Sequence, residues 1–384
     1  MMKTTLRSTL AVMAMTLAMG AYAQAPDTIR IGVNQPLTGA VAASGNFVTS
    51  GAKIAADEIN ETGGVLGKKI QLMIEDNKSN PTEAANATEK LIVRDKVSVL
   101  MGAWSSTYTL AAMPKLMEYK VPMVVETSSS SKITTQGNPY VFRISPTSAM
   151  EAATFARHVK PLNIRKVDFL VVNNDWGLGA AHAYQDMLKE NGVAIGKLET
   201  MDASAQDISS QLASIKASDS DTLMITTGPE QMTLLLKQAQ ALGLKRQIIT
   251  SGGTVPDQLI QQAGTAANDT LHSMMFLPWF PDTSPNPAAA KAFIAEWNKR
   301  KLDPTGMPEG SRGYDAIYTI AAAIEKAGST EPAKILDALW QTEIVGVTGK
   351  VAFHKEGPKG RESGQSTPTT YLVKIENGQI VPIH

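Results

Sequence analysis

The chain has 384 residues, of which 36 are basic, 36 acidic and none cysteine. Balanced charge excludes nucleic acid and anionic membrane surfaces as expected partners, and the length points to two domains rather than one. Without cysteine there is neither a disulfide framework nor a thiol for lipid attachment, so the fold has to be held by its core.

Lys3 and Arg7 precede an apolar run over 10–19, and Ala21-Tyr22-Ala23 stands before Gln24. This is the grammar of a cleavable secretory signal peptide over residues 1–23, and it places the protein in the periplasm. The remainder, without Lys3 and Arg7, carries a small net negative charge. No later stretch reaches about 18 uninterrupted apolar residues, the length needed to cross a membrane as a helix. A soluble monomer is expected.

Ile29-Arg30-Ile31-Gly32-Val33 reads as a strand, followed by a loop over 34–39 and a helix over 47–61 that Gly63-Gly64 stops. A second strand over 70–75 ends in Asp76-Asn77. Asn80-Pro81 then opens a helix to 94: Asn80 can cap it, Pro81 fits its first position, and Glu83 stands at capping-box spacing. A third strand over 97–101, a helix to 119 and a fourth strand over 122–125 come next, then an extended crossover over 138–144. The alternation restarts with a helix over 150–159 and strands over 167–172, 194–198, 222–226 and 247–250, with helices between them. Strand and helix at this spacing mean parallel sheets covered by helices. The fold class is α/β, two doubly wound parallel-sheet lobes with their join near Ser145.

From 274 the pattern changes. The stretch 277–287 holds Pro278, Pro281, Pro285 and Pro287, and helices follow over 288–300, 310–327 and 332–340. Helices without intervening strands cannot form a third parallel sheet, so they cover one of the first two. The proline-rich loop and the stretch 346–349 then read as further crossings between lobes. The expected division is 27–145 plus 278–345 as the N-terminal lobe and 146–277 plus 346–384 as the C-terminal lobe.

Enzyme motifs are weak. Gly177-Leu178-Gly179 has His182 where a dinucleotide loop needs its third glycine. Ser129 and Lys132 fit a Ser-x-x-Lys spacing without its companion motifs, and five scattered histidines show no paired metal spacing. No catalytic group, metal or cofactor is expected. What stands out is hydroxyl density at strand ends: Ser105, Ser106 and Thr107 after the third strand, Thr127 to Ser131 after the fourth. Ordinary loops are rich in such residues, but two clusters at the carboxyl ends of neighbouring parallel strands converge on one place. Hydroxyls and free N–H groups at helix starts bind anions. With no arginine in these loops, the expected anion is a single carboxylate held by hydrogen bonds. Trp104, Trp176 and Trp279 lie in loops, and Trp176 in Asn174-Asp175-Trp176-Gly177 is placed to cover an apolar ligand body.

The strings "IRIGVNQPLTG", "AADEINETGGVLGKKIQLMIEDNKSNP" and "YDAIYTIAAAIEKAG" resemble the solute-binding proteins of branched-chain amino acid ABC transporters. The resemblance covers the chain after residue 27 in order. It implies a type I periplasmic binding fold, a hinge of three crossings, a ligand enclosed between the lobes and an inner-membrane ABC permease as partner. It also implies that Ser105, Ser106, Thr107, Ser128 and Ser129 take the ligand's α-carboxylate and that Trp176 covers the ligand. Relatives place a glutamate for the ammonium after the strand over 247–250, where this chain has Ser251-Gly252-Gly253-Thr254. Gly252 stands at that position, and a buried ammonium without a carboxylate partner is costly. Either Glu126, Glu230 or Asp175 takes over, Glu126 being nearest the hydroxyl loop in sequence, or the ligand lacks an α-amino group. Aromatic acids, amides and urea-type solutes are then the alternatives, with ligand sensing as an alternative to transport and a Ser129/Lys132 hydrolase as the rival from another class.

Overall fold

The computed structural model describes residues 28–383; the expected secretory signal lies outside them. Five short strands come first: β1 (Ile29–Gln35), β2 (Ile70–Asp76), β3 (Val99–Gly102), β4 (Met123–Val125) and β5 (Val141–Arg143). They pair in parallel in the order β2-β1-β3-β4-β5. The pattern repeats with β6 (Lys166–Val172), β7 (Ala194–Met201), β8 (Thr222–Thr226), β9 (Gln247–Thr250) and β10 (Leu271–Met274), parallel in the order β7-β6-β8-β9-β10. Every residue of β3, β4 and β8 is buried, as expected of strands with helices on both faces.

The helices that cover the first sheet early in the chain are α1 (Ala42–Glu61), α2 (Pro81–Val93), α3 (Ser106–Tyr119) and the single turn α4 (Lys132–Thr135). The second sheet carries α5 (Ser148–Phe155), α6 (Asp175–Glu190), α7 (Ser209–Lys216), α8 (Pro229–Ala241) and α9 (Pro256–Ala263). Caps fall where the local sequence supplies them. The Asn80 side chain accepts from the N–H groups of Thr82 and Glu83 at 2.8 and 3.2 Å, and the Asn174 side chain accepts from that of Gly177 at 2.9 Å. No helix among the described residues is long and apolar enough to cross a membrane.

The last helices are α10 (Pro287–Lys299), α11 (Met307–Ala327) and α12 (Pro332–Leu339). Their buried residues join the core of the first lobe, around Phe293, Trp297, Ile317, Ile320 and Ile324. Helices α1 and α11 approach backbone to backbone. A Cβ on Gly51 would overlap the Gly310 carbonyl, and one on Gly313 would overlap the Val48 carbonyl. Glu58 on α1 accepts from the hydroxyls of Tyr314 and Tyr318 at 2.6 and 2.8 Å and fixes the same pair of helices.

The lobe boundary at 346 is corrected by strand pairing. A hairpin of β11 (Glu343–Val345) and β12 (Lys350–Ala352) is followed by β13 (His354–Glu356) and β14 (Ser363–Gln365), and β14 joins the first sheet beside β5. Only β15 (Tyr371–Glu376) and β16 (Gln379–Ile383) belong to the second sheet, β15 running antiparallel to β10. The third crossing is therefore the segment 366–370. The 346–349 stretch is instead a hairpin turn held inside the first lobe, where the buried Asp315 accepts from the N–H groups of Val347 and Thr348 at 2.8 and 2.7 Å. The segment 138–144, expected as a bare crossover, contains β5. Helix α9 and strand β10 have no counterpart in the sequence reading, because the Gly- and Thr-rich stretch around them hides the periodicity.

Replacing Gly313 by alanine places a methyl group against the Val48 carbonyl of α1, and overpacking of this kind costs about 1–3 kcal/mol. Gly313→Ala should lower the urea midpoint of unfolding with the slope unchanged.

Candidate functional site

The carboxyl ends of β3 and β4 in one lobe face those of β6, β9 and β10 in the other. Between them lies a cleft of ≈ 550 Å³ lined by Trp104, Ser105, Ser106, Thr127, Ser128 and Ser129 from the first lobe. Trp176, Ser251, Gly252, Gly253, Ser273, Met274 and Met275 face them, with Pro146 and Glu151 beside the first crossing and Glu309 and Arg312 reaching in from α11. The lobes touch at the rim. Asp175 of α6 meets Lys132 of α4 at 3.0 Å and exchanges hydrogen bonds of 3.3 Å with the Thr107 hydroxyl.

Of the residues singled out from sequence, Ser105, Ser106, Ser128, Ser129, Trp176 and Gly252 line this cleft. Thr107 does not; its hydroxyl is engaged with Asp175 across the rim. Ser106 Oγ accepts from the Ser130 N–H at 3.1 Å, and Ser128 Oγ donates to the Trp104 carbonyl at 2.8 Å, so the two hydroxyl loops are tied to each other. The Ser129 hydroxyl meets that of Ser148, while Lys132 turns to Asp175, so the Ser-x-x-Lys spacing brings no reacting pair together. Among the described residues no His, Cys, Asp and Glu side chains cluster as a group of three or more that could hold a metal ion.

Glu126 is fully buried behind the loop rather than in the cleft. It accepts from the Gln35 side-chain amide at 2.8 Å and from the Trp104 N–H at 3.3 Å. Trp104 sits in the left-handed region at φ 63°, so Glu126 holds a turn that a non-glycine residue rarely adopts. Burial pushes its carboxyl up to about 7, against the opposing pull of Gln35, of the Trp104 amide and of the Arg312 charge. Asp175 is engaged at the rim. Neither lines the cleft.

Glu151, on α5 directly after the first crossing, does line it, as does Glu309. Glu151 lies beside the glycine: a Cβ on Gly252 would stand 3.6 Å from Glu151 Oε1, in ordinary contact. The Glu151 Oε2 is out of solvent and has no hydrogen-bond partner among the described residues. Burial pushes the Glu151 carboxyl up to about 8, with the charges of Arg312 and Arg143 opposing the shift. Gly253 is needed for a separate reason, since a side chain there would run into the Trp176 indole and lie 2.8 Å from the Thr227 carbonyl. Beneath this loop the buried His272 ring contacts the hydroxyls of Thr250, Thr254 and Thr270 at 3.2, 3.1 and 2.7 Å. Burial drives its pKa down to about 3, so the ring is a neutral prop.

The hydroxyl loops hold no arginine, as their sequence shows, but helix α11 brings Arg312 to the same cleft. In sequence, Glu151 is a lone acid in Ser148-Ala149-Met150-Glu151-Ala152-Ala153, and Arg312 closes Glu309-Gly310-Ser311-Arg312. A charge isolated among small residues on a buried helix was the signal for both.

Two carboxyls raised by burial set a pH dependence. Between the ordinary glutamate value of 4.5 and the raised values of about 7 and 8, the folded chain keeps protons that the unfolded chain has lost. Stability of the ligand-free protein should therefore fall as pH rises through that window and level off above it. Glu151→Gln should flatten the upper part of the decline in thermal melts, and Glu126→Gln the lower part.

Comparison with known proteins agrees with this architecture. Residues 28–379 match the family model described as periplasmic binding protein. The leucine-, isoleucine-, valine-, threonine-, and alanine-binding protein of Pseudomonas aeruginosa is 26% identical over 340 residues, 88% of each chain. A leucine binding protein from Thermotoga maritima superposes with a TM-score of 0.82 at 27% identity, covering 93% of this chain and 98% of that one. The branched-chain amino acid transporter substrate binding protein of Streptococcus pneumoniae, solved with isoleucine, gives 0.80 at 28% identity, covering 93% and 100%. The chain belongs to the periplasmic binding protein family.

Proposed function

We propose that this protein is the substrate-binding component of an ABC importer that captures a small zwitterionic amino acid in the periplasm and hands it to an inner-membrane permease. The hydroxyl loops at Ser105, Ser106, Ser128 and Ser129 receive the α-carboxylate, and Glu151 receives the ammonium. Trp104, Trp176, Pro146, Met274 and Met275 surround the body of the ligand. The observation that carries this reading is Glu151 itself, an acid that lines the cleft beside Gly252 and has a buried, unpartnered oxygen, in a cleft whose first-lobe wall carries the hydroxyl loops. An ammonium group supplies the missing partner and a reason for the carboxyl to ionise. The ligands named for these relatives, leucine and isoleucine among them, support the amino-acid class. Closure removes ligand and hydroxyls from water together, which strengthens each polar contact.

Calorimetry with L-leucine and with its des-amino acid, 4-methylpentanoate, separates an amino-acid receptor from a simple carboxylate receptor. The wild type should bind leucine more tightly, and Glu151→Gln should lose about 1.5–3 kcal/mol of that affinity, the scale of a hydrogen bond to a charged group. That is roughly ten- to a hundred-and-fifty-fold. Equal or tighter binding of 4-methylpentanoate by the wild type would instead make this a receptor for acids without an amino group.

Trp176 lies against Gly253 at the mouth of the cleft. Ligand binding should change tryptophan emission, and Trp176→Ala should remove most of that change. A mutant that keeps the full spectral response would move the aromatic cover elsewhere.

A further inference from the structure

Two side chains that line the cleft have no part in holding the amino-acid backbone: Glu309 and Arg312, both on α11. Arg312 shows only 14% of its side chain to solvent, and one terminal nitrogen pairs with Glu309 at 3.3 Å. The same Glu309 oxygen accepts from Trp104 Nε1 at 3.1 Å, which fixes the carboxylate and through it the guanidinium. The Arg312 Nε–H is buried without a hydrogen-bond partner among the described residues, although Arg312 lines the cleft. On the opposite lobe, Glu230 Oε2 is likewise buried and unpartnered. Its carboxyl is raised by burial first, with the Glu309 charge adding to the shift.

The chemistry of this corner is mixed: an N–H donor that lacks an acceptor, bordered by the Glu309 carboxylate. An aliphatic side chain closing onto it leaves the buried donor unmet, which is the costly case for a polar group. A ligand carboxylate would bury a charge against a guanidinium that Glu309 already balances, which is costly. A primary amide offers a carbonyl acceptor and two N–H donors on one planar group and carries no charge. We propose that the cleft selects an amino acid whose side chain ends in a carboxamide, with Arg312 as the specificity-determining donor to its carbonyl oxygen. This rests on the amino-acid reading above and names the substrate class within it.

The test is calorimetry on the purified protein with L-asparagine, L-leucine and L-aspartate, which share one branching shape and differ in polarity, and with L-glutamine as the longer amide. One of the two amides should bind at least about tenfold more tightly than leucine and aspartate. Arg312→Met, similar in length but without N–H groups, should lose that preference and bind leucine at least as well as the wild type does. The wild-type comparison stands even where the variant folds poorly. Leucine binding as tightly as both amides overturns the carboxamide inference and leaves the amino-acid reading intact. Binding of none of the four overturns both, and an amide preference that survives in Arg312→Met overturns the role of Arg312.

Discussion

One buried guanidinium holds together parts of the chain that are more than two hundred positions apart. Arg143, fully buried at the end of β5, donates to the carbonyls of Ser128 and Ser130 at 3.1 and 2.7 Å and to the Thr134 hydroxyl at 2.9 Å. Its Nε donates to the Gln365 side-chain oxygen at 2.6 Å. A charge taken out of water is costly unless every donor finds a partner. Here the partners are the backbone of the hydroxyl loop, the single turn α4 and the strand beside the third crossing. Burial brings the guanidinium down to about 10, still far above any physiological pH, so the positive charge stays in place. The shape of the hydroxyl loop, and therefore the aim of Ser128 and Ser129, is set from below by this one side chain.

The two lobes contribute opposite halves of an electrostatic arrangement. The first supplies hydroxyls over a buried positive charge; the second supplies Glu151, whose carboxyl burial pushes up to about 8. Such a group responds to what enters between the lobes, since a ligand cation favours the ionised form of the acid it meets. Glu126 shows why adjacency in sequence is a poor guide to such a role. It directly precedes the hydroxyl loop, yet it points away from the cleft to hold Gln35 and the Trp104 backbone.

Much of the lobe architecture was legible because parallel strands are short, buried and apolar, and helices between them carry their own caps and stops. Asn80 with Pro81 and the strand over 222–226 are cases in which local chemistry alone decides the outcome. The cleft's hydroxyl loops were legible for a topological reason: a doubly wound sheet directs the ends of neighbouring strands to one place. Which sheet the tail joins was not: β14 and, through it, β13 reach the first sheet by pairing with β5, which no local pattern reveals. Glu151 and Arg312 were missed for a related reason. Each lies on a helix outside the loops, and what brings Glu151 beside Gly252 is the packing of α5 against the end of β9 within the second lobe, more than a hundred positions away in sequence.

Two of the three lobe crossings are bonded side by side. Gln365 Nε2 donates to the Ser145 and Ser366 carbonyls at 2.8 and 2.6 Å, and the Ser366 N–H donates to the Arg143 carbonyl at 2.9 Å. The two segments leave the first lobe as a ribbon rather than as independent threads. A ribbon bends readily across its flat face and resists shearing of one edge past the other. The lobes are thereby given one easy direction of swing and a stiff orthogonal one, a door hinge rather than a ball joint.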